Sequence, residues 1–234
     1  MDARAIVLVA GISSRIREAT GGLPKSFLKV GEETLIGRTI RLLGQAGVAD
    51  ITLVVGYMED LFRAAFPGCH FVVNPDFEVT NTCVSLELAL RAREDWPVLV
   101  LNGDVYFGEA VLPGLLAHAP DTTAAVNRHP LCDEEVKVFV EGDRVVRIGK
   151  HLNDEKAYGE AFGVYLLSPR FATYLKRELK LLNNPRVFYE EGMDRLLCAG
   201  HEMRLHDVGA ELVQEVDFPE DYEGLKSLVS PSKT

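Results

Sequence analysis

The feature that most constrains the fold is a short apolar run near the start of the chain, Ala5–Val9, which ends at the small residues Ala10 and Gly11. A continuous apolar run of this length is typical of a strand that is buried on both faces of a sheet. The loop that follows combines small residues with cations, namely Gly11, Ser13, Ser14, Gly21 and Gly22 with Arg15, Arg17, Lys25 and Lys29.

The chemistry of this loop suits an anion. Small residues let backbone N–H groups approach an anion closely, and flanking arginine and lysine side chains neutralise its charge. The cations are accompanied by a single acid, Glu18, although the formal net charge of the whole chain is −10. We therefore predict a polyphosphate cradle at the carboxyl end of the first strand. The alternative is a flexible, solvated loop.

The composition argues against several classes of protein. A net charge of −10 disfavours a nucleic-acid partner, because binding to the phosphate backbone requires a basic face. The cysteines and histidines form no C-x-x-C or H-x-x-x-H pair, which disfavours a zinc site or a disulfide framework. No apolar run is long enough to span a bilayer, and no signal-like segment precedes the first strand. We therefore expect a cytoplasmic protein without a membrane partner.

Strands and helices alternate along the first half of the chain. This rhythm predicts an α/β fold with a mostly parallel central sheet flanked by helices, of the Rossmann-like type. A turn at Gly142-Asp143 joins two further strands and predicts a small β extension in the second half. The predicted strands are 5–9, 51–55, 70–73, 98–101, 124–127, 136–141, 144–148, 161–167 and 203–208, and the predicted helices are 35–46, 59–66, 82–93, 169–182, 190–199 and one from Pro219.

The chain contains no linker, repeat or low-complexity segment. We therefore predict a single domain over residues 1–234, with a nucleotide-binding half at about 1–120 and an acceptor-binding half at about 121–234. The last residues, Ser230–Thr234, are expected to form a frayed tail.

Two acidic segments are candidates for a metal site. Asp104 follows an apolar strand, and the carboxyl ends of strands are where ligands gather in open α/β sheets. Glu215 and Asp217 project to the same side if their segment is extended. Two carboxylates together with a triphosphate are what Mg²⁺ usually takes. The alternative to a metal role is a structural one, in which Asp104 caps a turn and Asp217 caps the helix that begins at Pro219.

Several motifs resemble those of one enzyme family. Ala-Gly-Ile-Ser-Ser-Arg at 10–15, Pro-Lys-Ser-Phe-Leu-Lys-Val-Gly at 24–31, Asn-Gly-Asp at 102–104 and Glu-Val-Asp at 215–217 look like those of nucleotidyltransferases with a sugar-nucleotide-pyrophosphorylase-type fold. Within that group the sequence is most similar to small cytidylyltransferases that act on phosphocholine, 2-aminoethylphosphonate or inositol phosphate. The similarity extends over most of the chain, including segments 74–90, 148–168 and 188–197.

The resemblance implies a role for each matching residue. Ser13 stands where many family members have a second glycine, so the loop must turn with a side chain present. By resemblance, Ala10 and Gly11 contact the nucleotide, Arg15 and Lys25 hold the triphosphate, Asn81 and Ser85 line the base and ribose side, Asp104 and Asp217 hold Mg²⁺, Lys150 reaches the transferring phosphate, and Tyr189, Glu190 and Glu215 face the acceptor.

The predicted reaction is transfer of CMP from CTP to a small phospho- or phosphono-amine, with release of pyrophosphate. The second pKa of a phosphate acceptor is about 6, so the acceptor is mostly a dianion at neutral pH and no catalytic base is required. This expectation agrees with the lack of a Ser-His-Asp or Cys-His arrangement near the motifs.

Other functions remain as alternatives. The nearest is a nucleotidyltransferase that acts on a sugar 1-phosphate or an inositol phosphate, and a second is a non-catalytic nucleotide-binding module. A metal-dependent glycosyltransferase typically has a D-x-D pair, whereas this chain has Asp104-Val105-Tyr106. A dehydrogenase of the Rossmann type is disfavoured because residues 10–15 lack the G-x-G-x-x-G spacing.

Overall fold

The structure, a computed structural model, describes residues 2–153 and 155–229. The predicted tail Ser230–Thr234 therefore lies outside the described residues. The first half of the chain contains β1 (Arg4–Leu8), α1 (Arg17–Thr20), β2 (Lys29–Val30), β3 (Glu33–Thr34), α2 (Leu35–Gln45), β4 (Asp50–Val55), α3 (Glu59–Ala65), β5 (His70–Val73), α4 (Thr82–Ala89), β6 (Val98–Asn102), β7 (Val105–Phe107) and α5 (Val111–Leu116). The second half contains β8 (Thr123–Asn127), β9 (Lys137–Glu141), β10 (Arg144–Gly149), β11 (Gly159–Leu167), α6 (Pro169–Leu181), α7 (Glu190–Cys198), β12 (Arg204–Asp207), β13 (Val213–Glu215) and α8 (Pro219–Val229).

One nine-stranded sheet carries strands from both halves, in the order β5-β4-β1-β6-β11-β8-β12-β10-β9. Strands β5, β4, β1 and β6 are parallel, as the alternation of strands and helices predicts. β11 runs antiparallel between β6 and β8, and β10 runs antiparallel to β12 and β9. The predicted hairpin at Gly142-Asp143 is formed by β9 and β10 at the edge of this sheet.

Helices cover both faces of the sheet, because its central strands are apolar on both sides. Ile6 and Leu8 of β1 belong to a core that includes residues of α4, α6 and α7. Ala5 and Val7 point to the opposite face and join a second core with residues of α2, α3 and α5. The alternating directions of successive side chains in a strand produce these two cores. The fold is thus the predicted Rossmann-like arrangement.

The register of the central strands places two chain segments side by side. Leu8, at the end of β1, pairs with Asn102, at the end of β6. Beyond these residues the Gly103 N–H donates to the Leu8 carbonyl at 3.0 Å. A Cβ at Gly103 would lie 2.2 Å from Val9 Cγ1, so only glycine permits this close approach. Ala10 and Asp104 therefore leave the sheet next to each other.

A third, smaller core attaches the C-terminal segment to the loop after β1. Its buried members are Ile16, Leu28, Val30, Leu35, Val216 and Leu225. Val216 precedes Asp217, and β13 pairs antiparallel with β7, which follows Asp104. The last part of the chain is therefore held against the first loop.

Most predicted elements are confirmed, with shifts of one or two residues at their ends; the strand His70–Val73 agrees residue for residue. α4 is shorter than predicted and ends at Ala89 instead of Arg93. The cause is a buried ion pair between Arg4 and Glu94, in which Arg4 Nε donates to Glu94 Oε2 at 2.9 Å. Glu94 also accepts from the Arg91 N–H, and this bond holds the segment after α4 in a non-helical turn.

Within the described ranges 2–153 and 155–229, the helices all lack the length and apolar character that a membrane crossing requires.

Candidate active site

A cavity of about 280 Å³ opens at the carboxyl ends of β1 and β6. The site residues predicted from the sequence line it, except for Tyr189 and Glu190. The predicted residues on its wall are Ala10, Gly11, Ser13, Ser14, Arg15, Lys25, Asn81, Ser85, Asp104, Lys150, Glu215 and Asp217. They come from both predicted halves of the chain, so the cavity lies where the halves meet.

The loop after β1 contains regular secondary structure. It contains a 3₁₀ turn at Ser14–Ile16 and the short helix α1 at Arg17–Thr20. Ser13 makes its turn in the left-handed region with φ of 59°, a conformation that costs a non-glycine residue about 1–2 kcal/mol. Its hydroxyl accepts from the Lys25 N–H at 3.0 Å, and this bond fixes the turn.

Asp104 and Asp217 meet, although they are far apart in the sequence. The Val216 N–H donates to the Asp104 carbonyl at 3.0 Å, and this bond extends the pairing of β13 with β7. Lys25 Nζ lies between the two carboxylates, 2.6 Å from Asp104 Oδ2 and 2.5 Å from Asp217 Oδ1. Arg15 contacts the other oxygen of Asp217 at 2.9 Å. The cations of the first loop thus reach both candidate metal ligands.

The charges in this cluster shift the pKa values of its members. Burial opposes the charge of Lys25, but Asp104 and Asp217 outweigh it and raise the pKa of Lys25 above its usual range. Burial alone would raise the pKa of Asp217, yet Lys25 and Arg15 lower it. Burial and then the neighbouring Asp104 and Asp217 raise the pKa of Glu215 to about 8. At neutral pH Glu215 is therefore mostly protonated, while Lys25 and Arg15 offset the carboxylate charge beside it.

Asp104, Glu215 and Asp217 have the chemistry of a site for a hard cation. Each offers a carboxylate oxygen, and these oxygens lie within 4.8 Å of one another. Among the described residues Asp104 Oδ1 has no hydrogen-bond partner, although it is buried. Oxygen donors of this kind suit Mg²⁺, which commonly takes one or two carboxylates together with substrate phosphates. The residues present therefore fit a magnesium ion.

The opposite side of the cavity is lined by short polar side chains at the start of α4. Asn81 caps this helix, as predicted, and its side-chain oxygen accepts from the Thr82 N–H at 2.7 Å. Ser85 Oγ accepts from Asn74 Nδ2 at 3.0 Å. Phe77 adds an aromatic face to the same wall. This wall has the hydrogen-bonding groups and the apolar surface that a nucleoside requires.

The structure corrects the positions of Tyr189 and Glu190, which were expected to face an acceptor. Both side chains are buried behind the cavity wall, because the start of α7 packs against the sheet. The Tyr189 hydroxyl donates to Asn102 Oδ1 at 3.0 Å, and Glu190 Oε1 accepts from the Tyr165 hydroxyl at 3.1 Å. Tyr189 supports Asn102 on the wall, and neither Tyr189 nor Glu190 lines the cavity.

Sequence reasoning missed Phe188 and Phe77, two aromatic residues that line the cavity. Phe188 precedes the predicted Tyr189 directly, and its side chain is 37% exposed. Adjacent side chains at a helix start point in different directions, so the sequence does not tell which aromatic residue faces the cavity. Phe77 lies in the turn after β5, where no periodic pattern indicates an orientation.

Comparison with known proteins identifies the family of the chain. Residues 5–162 match the family model of the MobA-like NTP transferase domain. The chain belongs to this transferase family. The matched segment contains the first loop, Lys25, Asp104 and Lys150 and ends before α7, so Glu215 and Asp217 lie beyond it.

Individual relatives of this transferase extend the similarity to nearly the whole chain. The CMP-5'-(3-aminopropyl)phosphonate synthase of Streptomyces rubellomurinus is 30% identical over 98% of the chain, which spans only 39% of that relative. The choline-phosphate cytidylyltransferase of Haemophilus influenzae is 25% identical, with 98% of each protein covered. The structure of CTP:phosphocholine cytidylyltransferase from Streptococcus pneumoniae superposes with a TM-score of 0.85 at 20% identity, over 98% of this chain and 100% of the other.

Proposed function

We propose that this transferase moves CMP from CTP to a small phospho- or phosphono-amine, such as phosphocholine or an aminoalkylphosphonate, and releases pyrophosphate with the help of Mg²⁺. One observation carries the proposal: Asp104 and Asp217 meet at Lys25, beside the cationic first loop. The relatives named above use substrates of this chemistry, and the site offers groups that suit both the nucleotide and the acceptor.

The main barrier to such a transfer is electrostatic, because a dianionic acceptor must approach a triphosphate. Arg15 and Lys25 of the first loop line the cavity and place positive charge where the phosphates would bind. A bound Mg²⁺, held by Asp104 and Asp217, supplies further neutralisation of the phosphate charge. Catalysis then consists of positioning and charge stabilisation, which suffice for phosphoryl-type transfers.

The bond changes balance without a catalytic base. An oxygen of the acceptor phosphate or phosphonate attacks the α-phosphorus of CTP, and the bond from that phosphorus to the bridging oxygen breaks. The electron pair leaves with pyrophosphate, whose charge the Arg15 and Lys25 loop stabilises. Because the attacking oxygen is already deprotonated at neutral pH, no proton has to be removed.

The acceptor side of the cavity favours a cationic group. Glu215 lines the cavity, and burial beside Asp104 and Asp217 raises its pKa to about 8. An alkylammonium group bound beside Glu215 would favour its ionised form and pair with it, whereas a neutral sugar would not. This preference is our reason for choosing an amine over a sugar 1-phosphate.

A pyrophosphate-release assay tests the proposal with four nucleotides against a panel of acceptors. The panel contains phosphocholine, 2-aminoethylphosphonate, 3-aminopropylphosphonate, inositol 1-phosphate and glucose 1-phosphate. We expect the highest kcat/KM for CTP with one of the amines. A preference for inositol 1-phosphate or glucose 1-phosphate would contradict the amine acceptor, and CTP binding without turnover on any acceptor would indicate a binding module.

The metal is tested in the same assay. We expect EDTA to abolish turnover, Mg²⁺ to restore it, and Asp104→Asn to reduce it by at least about 10²-fold, the scale of losing one charge-stabilising group. Asp95→Asn is the matched control, since the Asp95 side chain is 77% exposed and lies outside the cavity. Near-normal pyrophosphate release by Asp104→Asn would rule out the metal role of this residue.

A further inference from the structure

Phe188 presents an aromatic face to the active-site cavity. It lies between α6 and α7, directly before the buried Tyr189, and its side chain is 37% exposed. Large apolar side chains are usually buried, and an exposed aromatic ring inside a polar cavity offers a binding surface. The ring therefore forms part of the surface of the cavity.

A cation already lies on this ring. The ammonium nitrogen of Lys150, which follows β10, is 4.4 Å from the centroid of the Phe188 ring. This distance is within the range of a cation–π interaction. Lys150 also lines the cavity, so the ring and the ammonium group form part of one wall.

Three nearby carboxylates pair with groups other than Lys150. Asp104 and Asp217 pair with Lys25, and Glu160 contacts His129 at 2.8 Å. Lys150 thus rests on the face of an aromatic ring in a region rich in acids. A ring face combined with surrounding, more distant negative charge is the environment that binds alkylammonium groups.

The charges around the Lys150 ammonium also favour a cation at its position. Burial raises the pKa values of Glu160 and Glu190, and the charge of Lys150 acts in the opposite direction on both of them. These acids belong to different parts of the chain, and the ammonium group of Lys150 is within electrostatic range of both. A positive charge at this point is therefore favourable whatever molecule carries it.

We propose that the Lys150 ammonium marks the subsite for the cationic end of the acceptor, and that the Phe188 ring is the surface that recognises it. Two cations cannot share one face of the ring, because their charges repel. The flexible four-carbon stem of Lys150 lets its ammonium move from the ring to the dianionic end of the acceptor. The cationic end of the acceptor thus replaces the Lys150 ammonium on the Phe188 ring. This inference rests on the proposed function, since it assigns the amine end of the proposed acceptor.

The role of the ring is tested by comparing acceptors with and without a cation. At saturating CTP we expect Phe188→Leu to raise the KM for phosphocholine or 2-aminoethylphosphonate about tenfold, in line with the strength of a partly buried cation–π contact. The KM for ethylphosphonate, which lacks the amine, is expected to stay within about twofold of the wild type. Phe188→Tyr retains the ring and should preserve the KM for the amines.

The exchange is tested by binding alone, without CTP or turnover. We expect Lys150→Met to bind tetramethylammonium at least about tenfold more tightly than the wild type in a calorimetric titration, because the ring is vacated. Adding Phe188→Leu to this variant should abolish the gain. Lys156→Met, which removes an exposed lysine from the segment after β10, is the matched control and should bind as the wild type does.

These experiments separate the subsite from the reaction. If the proposed reaction is wrong, pyrophosphate release fails for every amine acceptor, while the tetramethylammonium titration still reports on the ring. The subsite is refuted if Lys150→Met binds tetramethylammonium no more tightly than the wild type. It is also refuted if Phe188→Leu changes the KM for ethylphosphonate as much as that for the amines, because the ring would then have only a packing role.

Discussion

Lys25 is the residue on which the charge balance of the site depends. Its ammonium nitrogen lies between Asp104 and Asp217, so in this structure it neutralises the carboxylates that we propose as metal ligands. The same side chain is proposed to hold the triphosphate, and it cannot occupy both positions at once. Nucleotide binding would therefore draw Lys25 away and leave both carboxylates open to a cation.

Replacing Lys25 by alanine should separate these two effects. We expect Lys25→Ala to reduce turnover by at least about 10²-fold, because a charge that stabilises the transferring phosphates is lost. In the absence of nucleotide the same variant should bind Mn²⁺ more tightly than the wild type, because the competing ammonium group is gone. Stopped assays of pyrophosphate and Mn²⁺ titrations followed by electron paramagnetic resonance measure the two quantities.

Lys29→Ala is the control for this variant. Lys29 belongs to the same loop region and its residue is exposed, but it does not line the cavity. Its replacement should leave both turnover and Mn²⁺ affinity unchanged. Equal Mn²⁺ affinity in Lys25→Ala and the wild type would show that Lys25 does not compete for the carboxylates.

At the scale of elements, the close approach of the ends of β1 and β6 shapes the site. A Cβ at Gly103 would lie 2.2 Å from Val9 Cγ1 and 2.9 Å from the Leu8 carbonyl oxygen. The backbone oxygen belongs to a central strand and cannot move aside at low cost. Any side chain at this position therefore pushes Asp104 away from β1.

We expect Gly103→Ala to reduce kcat/KM by about 10²-fold, because displacements of about 1 Å in a site have effects of that size. Overpacking should also lower the free energy of unfolding by about 1–3 kcal/mol. Gly44→Ala is the matched control, since a Cβ at Gly44 of α2 meets no atom within 4 Å. Urea unfolding and the pyrophosphate assay check both variants. Wild-type activity in Gly103→Ala would contradict the packing argument.

The sequence predicts the long elements well and the short ones poorly. β1 and β6 are continuous apolar runs, so their burial on both faces is evident from the residues alone. β7 and β13 have three residues each and carry no period, and their pairing joins segments distant in the chain. The sequence therefore indicates that Asp104 and Asp217 follow extended segments, but it does not show that β7 and β13 pair.

The same limit applies to side-chain direction in the site. The small residues and cations of the first loop predict an anion site, whereas the individual roles of Arg15 and Lys25 follow from the family resemblance. Phe188 and Tyr189 are adjacent aromatics, and packing against the sheet decides that Tyr189 is buried and Phe188 exposed. That choice depends on how α7 docks, which is a tertiary effect that the local pattern does not contain.

At the scale of the whole molecule, the smallest of the three cores determines whether the site is complete. Val216 and Leu225 of the C-terminal segment pack against Ile16, Leu28 and Leu35 of the first part of the chain. This core holds Asp217 next to Lys25, and it is separate from the two cores that cover the sheet. Loosening this third core would therefore displace Asp217 from Lys25 while the sheet remains folded.

We expect Leu225→Ala to reduce the free energy of unfolding by about 2–5 kcal/mol, because it leaves a cavity at a fully buried position. The KM for CTP should rise as well, because the segment that carries Asp217 is less firmly held. Leu228→Ala on the same helix is the control, since Leu228 is 62% exposed. Comparable losses in both variants would show that helix propensity, and not this core, is responsible.

The pairing of Lys25 with Asp217 also has a consequence for how the enzyme is made. The two residues are 192 positions apart in the sequence. During translation the first loop emerges from the ribosome before the codon for Asp217 is read. A growing chain can therefore build most of its sheet while the site is incomplete, and the proposed transfer would begin only after Asp217 has been synthesised and docked.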